Sequence, residues 1–381
     1  IPYEAPTLLI IGTSMSAGKT TSAKRIVRHL KQSGLRVIGC KLTGAGRYRD
    51  VLAMWDAGAD DIYDFVDVGL PSTIVEPGDY VVGEVVGRAG ELSRVELRSG
   101  RMIEVVEGDL VVGAWGSRRA TLEAVGDWRN ITEDGTFHAM TSAGLFGRVT
   151  SLAPLMPPLM RLRYVGHVTR SGQKVTMDEF VPPIPDIPYE APTLLIIGTS
   201  MSAGKTTAAK RIIRHLKGIG LHIVGTKLTG AGRYRDVLAM WDAGADDVFD
   251  FVDVGLPSTI VEPEEYRSRL RDLLSLVAAR NPDIVVAEAG ASPLEPYNGE
   301  VVLEEIGAHV RCTVLCASDP YAVSGVIAGF GYEPDVVAGI ATNTTASVEL
   351  VRKLTGHEGF SFMIAEESDD AFDVIRTRFG V

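Results

Sequence analysis

From residue 187 onward, short apolar runs alternate with stretches of helical spacing. Thr193–Ile197, Leu221–Lys227, Asp283–Ala291 and Asp335–Ile340 are strand-sized and nearly continuous in apolar residues, and Cys312 and Cys316 lie in another such run. Thr206–Lys217 and Val237–Ala243 instead carry apolar residues on one helical face. Buried strands alternating with helices predict an α/β domain with a mostly parallel sheet covered on both faces.

The stretch from about Tyr80 to Met177 has a different pattern. Short alternating runs occur at Tyr80–Gly87, Ser93–Leu97, Met102–Val106, Leu110–Ala114, Thr121–Val125 and Arg163–Val168. Ser99-Gly100 and Ser171-Gly172 mark turns, and Arg94–Val106 is expected to be a hairpin about the first of them. A small antiparallel all-β domain, barrel or sandwich, is predicted.

An internal repeat organises the rest. Ile1–Pro77 aligns with Ile187–Pro263 at a constant offset, and ten of the 77 positions differ. Most differences conserve size, as in Ser22/Ala208, Val27/Ile213 and Tyr63/Phe249; others are Gln32/Gly218, Arg36/His222 and Cys40/Thr226. After Pro263 the helix and strand pattern continues, whereas after Pro77 the β segment begins. The expected order is a partial front-half duplicate (1–77), the β domain (78–180), a proline-rich linker (181–186) and a complete α/β domain (187–381). A barrel plus α/β unit that acquired an extra front half and a rearranged chain both account for this order.

The chemistry sits after the first strand of the complete domain. Gly198-Thr-Ser-Met-Ser-Ala-Gly-Lys-Thr-Thr207 joins that strand to a helix, the context a phosphate-binding P-loop requires. Successive amides from Thr199 through Ser202, Ala203 and Gly204, with the helix N-terminus, make a concave anion site. Lys205 can reach terminal phosphates, the Thr206 hydroxyl suits Mg²⁺, and Thr207 follows on the helix. One departure from the common motif is that its first glycine position holds Thr199, with Gly198 one residue earlier.

Further polar residues follow at strand ends. Lys227 closes the second run and leads into a loop carrying Arg233 and Arg235. Strand C-termini face the crevice where open α/β sheets bind ligands, so these three cations are candidates for an anionic small-molecule substrate; a solvated basic loop is the alternative. Asp236 is a candidate Mg²⁺ ligand or the N-cap of the next helix. Glu288 ends the Asp283–Ala291 run, where a Mg²⁺-binding acid belongs, and Asp283 lies at the wrong end. Asn343 follows a late strand, placed either to read a base or to form a turn. Asp242, Asp246, Asp247, Asp250 and Asp253 read mainly as solvated carboxylates.

Composition narrows the classes. The net charge of −11 over 381 residues argues against a nucleic-acid partner but not against a local phosphate site. No apolar run approaches a membrane span. Three cysteines (Cys40, Cys312 and Cys316) make neither a disulfide framework nor a zinc pattern, and the latter pair reads as buried structural thiols. With no secretory leader recognised, a cytoplasmic protein without membrane attachment is expected.

The Gly198-Thr-x4-Gly-Lys-Thr206 spacing resembles that of dethiobiotin synthetase and its P-loop NTPase relatives, among them cobyrinic acid amidase and the molybdopterin-guanine dinucleotide accessory protein. Lys227, Asp236-Val-Leu-Ala-Met240, Glu288-Ala-Gly290 and Asn343 follow in the family's order, so the resemblance spans about 193–345. It implies ATP binding at the loop, Mg²⁺ on Thr206, Asp236 and Glu288, substrate contact and catalysis by Lys205, Lys227 and Glu288, and adenine recognition by Asn343. The chain departs where Leu228 follows Lys227 in place of proline, and where Glu288 lacks the double glycine and runs into Ser292-Pro-Leu-Glu-Pro-Tyr-Asn-Gly299. A barrel-like domain before such a loop also resembles the family of the D-glutamate N-acetyltransferases, which implies that the loop serves acyl-CoA.

Three functions are therefore expected to compete: an ATP- and Mg²⁺-dependent synthetase activating a carboxylate or carbamate, an acyl-CoA-dependent N-acyltransferase, and a nucleotide switch of metallochaperone type. The front-half duplicate repeats Gly18, Lys19, Thr20, Lys41 and Asp50 as a partial second site but has no counterpart of Glu288 or Asn343. An unfinished sheet leaves a strand edge to be covered, so a homo-oligomer, packing on the second copy, or a poorly ordered segment is expected.

Overall fold

The structure, a computed structural model, describes residues 5–11, 19–42, 48–64, 76–87, 93–132, 134–290, 292–363 and 365–381. The chain divides into two compact units, 1–76 with 166–175, and 77–165 with 176–381.

In the duplicated front segment, α1 (Lys19–Gln32), β1 (Ile38–Lys41), α2 (Tyr48–Trp55) and β2 (Asp61–Asp64) follow one another, with β1 and β2 paired in parallel. Their core is small: Val27, Met54, Ala57 and Ala59. Residues 5–11 contain no strand, and Leu9 is 68% exposed. The expected first strand of this copy is therefore not formed.

The β domain runs β3 (Tyr80–Val85), β4 (Arg94–Glu96), β5 (Met102–Glu104), β6 (Leu110–Trp115), β7 (Ser117–Arg119), β8 (Ala124–Asp127), β9 (Thr136–Ala139), β10 (Leu145–Leu152) and β11 (Arg161–His167). The sheet order β6-β3-β11-β9-β10 closes on itself through a parallel β10–β6 pairing, and β8 and β7 extend from β10. Closure removes the free edges. Val81, Phe137, Phe146 and Leu162 fill the barrel, with Phe137 edge-on to Trp115 at 4.8 Å. β4 and β5 form the expected hairpin. The run placed at Thr121–Val125 begins as a strand only at Ala124, and β7, β9 and β10 were not anticipated: β7 and β9 are only three and four residues long, and β10 lacks a regular alternation. A further hairpin, β12 (Thr169–Arg170) with β13 (Gln173–Lys174), turns through Ser171 and Gly172 at φ 52° and 76°, as a two-residue turn requires.

The complete α/β domain contains β14 (Thr193–Gly198), α3 (Lys205–Gly218), β15 (Ile223–Thr229), α4 (Tyr234–Trp241), β16 (Asp247–Asp250), α5 (Pro263–Ala278), β17 (Ile284–Ala289), α6 (Gly299–Ile306), β18 (Val310–Ala317), α7 (Pro320–Phe330), β19 (Val336–Gly339), α8 (Thr345–Thr355) and α9 (Ala365–Phe379). Its six strands are parallel, in the order β16-β15-β17-β14-β18-β19. Every residue of β14 is buried. Leu195 and Ile197 face α5, α6 and α7, while Leu194 and Ile196 face α3 and α9. This is the three-layer α/β architecture anticipated from the continuous apolar runs.

β14 pairs with β17 on one side and β18 on the other. Both neighbours lie beyond Pro263, in the half that the front duplicate lacks. Residues 7–11 therefore have the sequence of a central strand without its two partners, and Leu195, the counterpart of Leu9, is fully buried. The proline-rich stretch 181–186 is pinned to α5, where Ser275 donates to the Pro185 carbonyl and accepts from the Ile187 N–H at 3.1 Å.

Candidate functional site

The sheet order brings the predicted residues to one edge. Lys227 pairs in register with Glu288 across β15 and β17, and Glu288 pairs in register with Ile196, just ahead of Gly198. All three strands end there, so the loop 199–204, Lys227 and Glu288 share the C-terminal rim of the sheet.

The loop has the form a phosphate cradle requires. Gly204 takes φ 103° as it enters α3, a left-handed conformation that side chains disfavour, and a Cβ there would lie 3.3 Å from the Gly339 Cα. A Cβ on Gly198 would sit 2.9 Å from the Lys205 side chain. The loop is anchored by Thr199, whose N–H donates to the Cys316 carbonyl at 3.1 Å and whose hydroxyl accepts from the Ser318 N–H at 3.0 Å. Lys205 is buried and folds back to donate to the Ser200 carbonyl at 2.7 Å. Burial pulls its ammonium below the ordinary lysine value, with Glu288 opposing. Thr206 donates to the Glu288 carboxylate at 3.2 Å, while Ser202 and Thr207 are exposed.

Glu288 is buried, and burial raises its carboxyl against the pull of Lys227 and Lys205. Lys227 is buried too, and it is ion-paired to Asp236. Burial pulls Lys227 down, but Asp236 and Glu288 outweigh it and raise the group; the same attraction lowers Asp236 against its own burial. The reading of Asp236 as an N-cap is corrected: Arg233 caps α4, and Asp236 sits in its first turn with its carboxylate on Lys227. The basic loop is not a solvated one either, since Lys227 is buried and Arg233 half-buried, though Arg235 is exposed. Asn343 is exposed in a turn just beyond β19, the strand whose Gly339 abuts Gly204.

Among the acidic residues, Asp246 pairs with Lys217 and Asp247 with Arg280. Asp250 and Asp253 are not solvated: they form a mutual capping box, and Asp250 is buried with one oxygen unpartnered. Burial first, then Asp253, pushes the Asp250 carboxyl up to about 7. Cys312 and Cys316 are buried free thiols, both pushed up to about 12 by burial. In the front duplicate, Lys19 and Thr20 open α1, Lys41 ends β1 and Asp50 lies on α2; Gly18 lies outside the described residues.

Residues not singled out from sequence also reach this rim. The β domain packs onto the loop: Arg118 Nη2 lies 3.8 Å from Met201 Sδ, and Ser202 donates to Glu123 at 3.3 Å. The Arg119 N–H donates to the Tyr297 hydroxyl at 2.9 Å, and the Thr121 N–H to Glu295 at 3.0 Å. Glu295 and Tyr297 belong to the Ser292–Gly299 stretch, whose departure from the dethiobiotin synthetase pattern was the one available signal. Arg118 carried none.

The fold and the site define a P-loop protein of the α/β class. No protein-family model matches the chain, and no curated protein matches it. Among solved structures it is similar to the signal recognition particle receptor FtsY from Elizabethkingia anophelis, at 14% identity over 48% of this chain and 61% of that one, with a TM-score of 0.33. It is also similar to the hydrogenase maturation factor HypB from Archaeoglobus fulgidus, at 12% identity over 50% and 91% of the two chains, with a TM-score of 0.34. A DUF1611-family protein from Anabaena variabilis matches at 15% identity over 52% and 63%, with a TM-score of 0.29. The matches span less than two thirds of the FtsY chains. At such identities and TM-scores, function rests on the chain's own residues.

Proposed function

We propose that this protein is an ATP- and Mg²⁺-dependent P-loop enzyme that activates a small carboxylate or carbamate substrate. The observation that carries the reading is the contact of Thr206 with Glu288, with the buried ammonium groups of Lys205 and Lys227 among the charges that bear on that carboxylate. A hydroxyl and a carboxylate form a hard, oxygen-only donor pair, which suits Mg²⁺. Among the described residues no three His, Cys, Asp or Glu side chains group as a metal cage. That is compatible with Mg²⁺, which binds through one or two protein groups and completes its shell with water and phosphate. The ion would supply charge neutralisation between the terminal phosphates.

The residues divide the remaining work. The loop amides and the N-terminus of α3 hold phosphate oxygens. Lys205, now on the Ser200 carbonyl, is within its own loop's reach of those oxygens. Lys227 is kept charged by Asp236 and meets negative charge developing at the strand ends. Phosphoryl transfer asks the protein mainly for positioning and electrostatics, and a rigid rim of three strand ends supplies both. The β domain, packed against Met201 and Ser202, favours an enclosed reaction site over the open face that a nucleotide switch presents to a partner.

Titration with ATP, GTP and acetyl-CoA, each with and without Mg²⁺, tests the reading. Tight binding of ATP that requires Mg²⁺ and disappears in Lys205→Ala is the expected result. Mg²⁺-independent binding of acetyl-CoA would replace it with an acyltransferase, and a GTP-dependent dimer with little turnover would replace it with a switch.

A further inference from the structure

Two arginines beside the P-loop have donors that the protein leaves unused. Arg118, from β7 of the β domain, is 1% exposed. Its Nη1 donates to the Met140 carbonyl at 2.6 Å and its Nη2 pairs with Glu123, but its buried Nε has no partner. Met140 packs with Leu145 against Ala231, two residues ahead of Arg233. The Arg233 side chain makes no hydrogen bond or ion pair with any described residue, its carbonyl alone accepting from the Asp236 N–H at 3.2 Å, and its Nε is likewise buried without a partner.

A buried guanidinium is tolerated when paired and hydrogen-bonded. Glu123 answers Arg118 directly, whereas Arg233 has no direct ion-pair partner and feels the carboxylates of Asp236 and Glu96 only at longer range. Burial pulls Arg118 down, and Arg233 adds to that pull against Glu123. An oxyanion would satisfy both Nε donors and cancel the repulsion, and guanidinium forks suit carboxylate and phosphate geometry. Arg118 is already held from two sides, so little side-chain entropy is left to lose on binding.

We propose that Arg118 and Arg233 form an oxyanion subsite next to the P-loop, one half supplied by the β domain, that takes a carboxylate or phosphate group of the second substrate. Its assignment to a second substrate rests on the P-loop being the nucleotide site. It makes the β domain part of the binding machinery.

The test uses the full chain saturated with Mg·ADP, titrated calorimetrically with malonate and, separately, with inorganic phosphate. Saturable binding of at least one probe is expected; the tighter of the two identifies the group. Arg118→Met and Arg233→Met should each weaken that binding by about tenfold or more, Arg118→Lys by less, with ADP affinity unchanged. Arg118 is buried and its Met variant can fail to fold, in which case Arg233→Met at the half-buried position decides alone. If the wild-type chain binds neither probe, or both Met variants bind as wild type does, the subsite is overturned. Loss of ADP binding with probe binding intact overturns it too, and makes Arg118 a nucleotide contact. If ADP itself fails to bind, the nucleotide reading falls, and the same titrations on the free chain still decide the subsite.

Discussion

The Thr206 hydroxyl donates to the Glu288 carboxylate at 3.2 Å, although the two residues are 82 positions apart in the chain. The contact exists because α3 follows β14 across the short loop 199–204, and β17, which carries Glu288, is the neighbour of β14 in the sheet. If this pair holds Mg²⁺, Glu288→Ala should abolish the tightening of ATP binding by Mg²⁺, a loss of about tenfold or more, and leave the Mg²⁺-free affinity within about twofold. Titrations in Mg²⁺ and in EDTA read both numbers. An equal loss in both buffers would assign Glu288 to the nucleotide and not to the metal.

The ion pair of Lys227 with Asp236 makes a second prediction. Both partners are largely buried, so removing one strands the other's charge. Asp236→Ala should lower stability in urea denaturation by about 3–5 kcal/mol. The double variant Lys227→Met/Asp236→Leu should recover much of that loss while remaining inactive. Stability of Asp236→Ala within about 0.5 kcal/mol of wild type would mean that water reaches Lys227.

Asp250 gives the fold a pH dependence of definite sign. Its carboxyl is raised from 3.8 to about 7 by burial and by Asp253, partly offset by the Val252 N–H and by Lys227, with Asp236 adding to the rise. A raised carboxyl means that the folded chain holds a proton the unfolded chain has released. The contribution of this group is therefore complete below about pH 4 and is lost as pH climbs toward and past 7, by about 1.4 kcal/mol per unit at the steepest. Asp250→Asn keeps an acceptor for the Val252 N–H and removes the ionisation, so its melting temperature should fall less than that of wild type between pH 5 and 7.5. Parallel curves for the two proteins would place the proton elsewhere.

The parallel sheet was legible because fully buried strands are written as continuous apolar runs, and Lys227 and Glu288 were legible as polar residues closing such runs. The P-loop announced itself through glycines that its backbone geometry demands. Arg118, Glu123, Glu295 and Tyr297 were not legible, because their relation to the loop is made by one domain packing on another and leaves no periodicity in the chain. Asp250 was read as solvated for a related reason: in a run of five acids, nothing local shows that the one ending β16 is buried.

The duplicate supplies an internal control on what holds a central strand in place. Leu9 and Leu195 sit in the same Thr-Leu-Leu-Ile-Ile-Gly sequence, yet Leu9 is 68% exposed and Leu195 fully buried. Local propensity is identical, so the difference comes from β17 and β18, which flank β14 and have no counterpart in the front segment. Leu195→Ala should then cost about 2–5 kcal/mol in urea denaturation, from lost burial and the cavity left behind. Leu9→Ala should stay within about 0.5 kcal/mol, as surface changes do. Deleting residues 1–76 should likewise leave the main unfolding transition in place, since every strand of the complete sheet lies between Thr193 and Gly339. A large cost for Leu9→Ala would instead show that residues 7–11 are buried in solution, and sedimentation of the two chains would then show whether a second copy buries them.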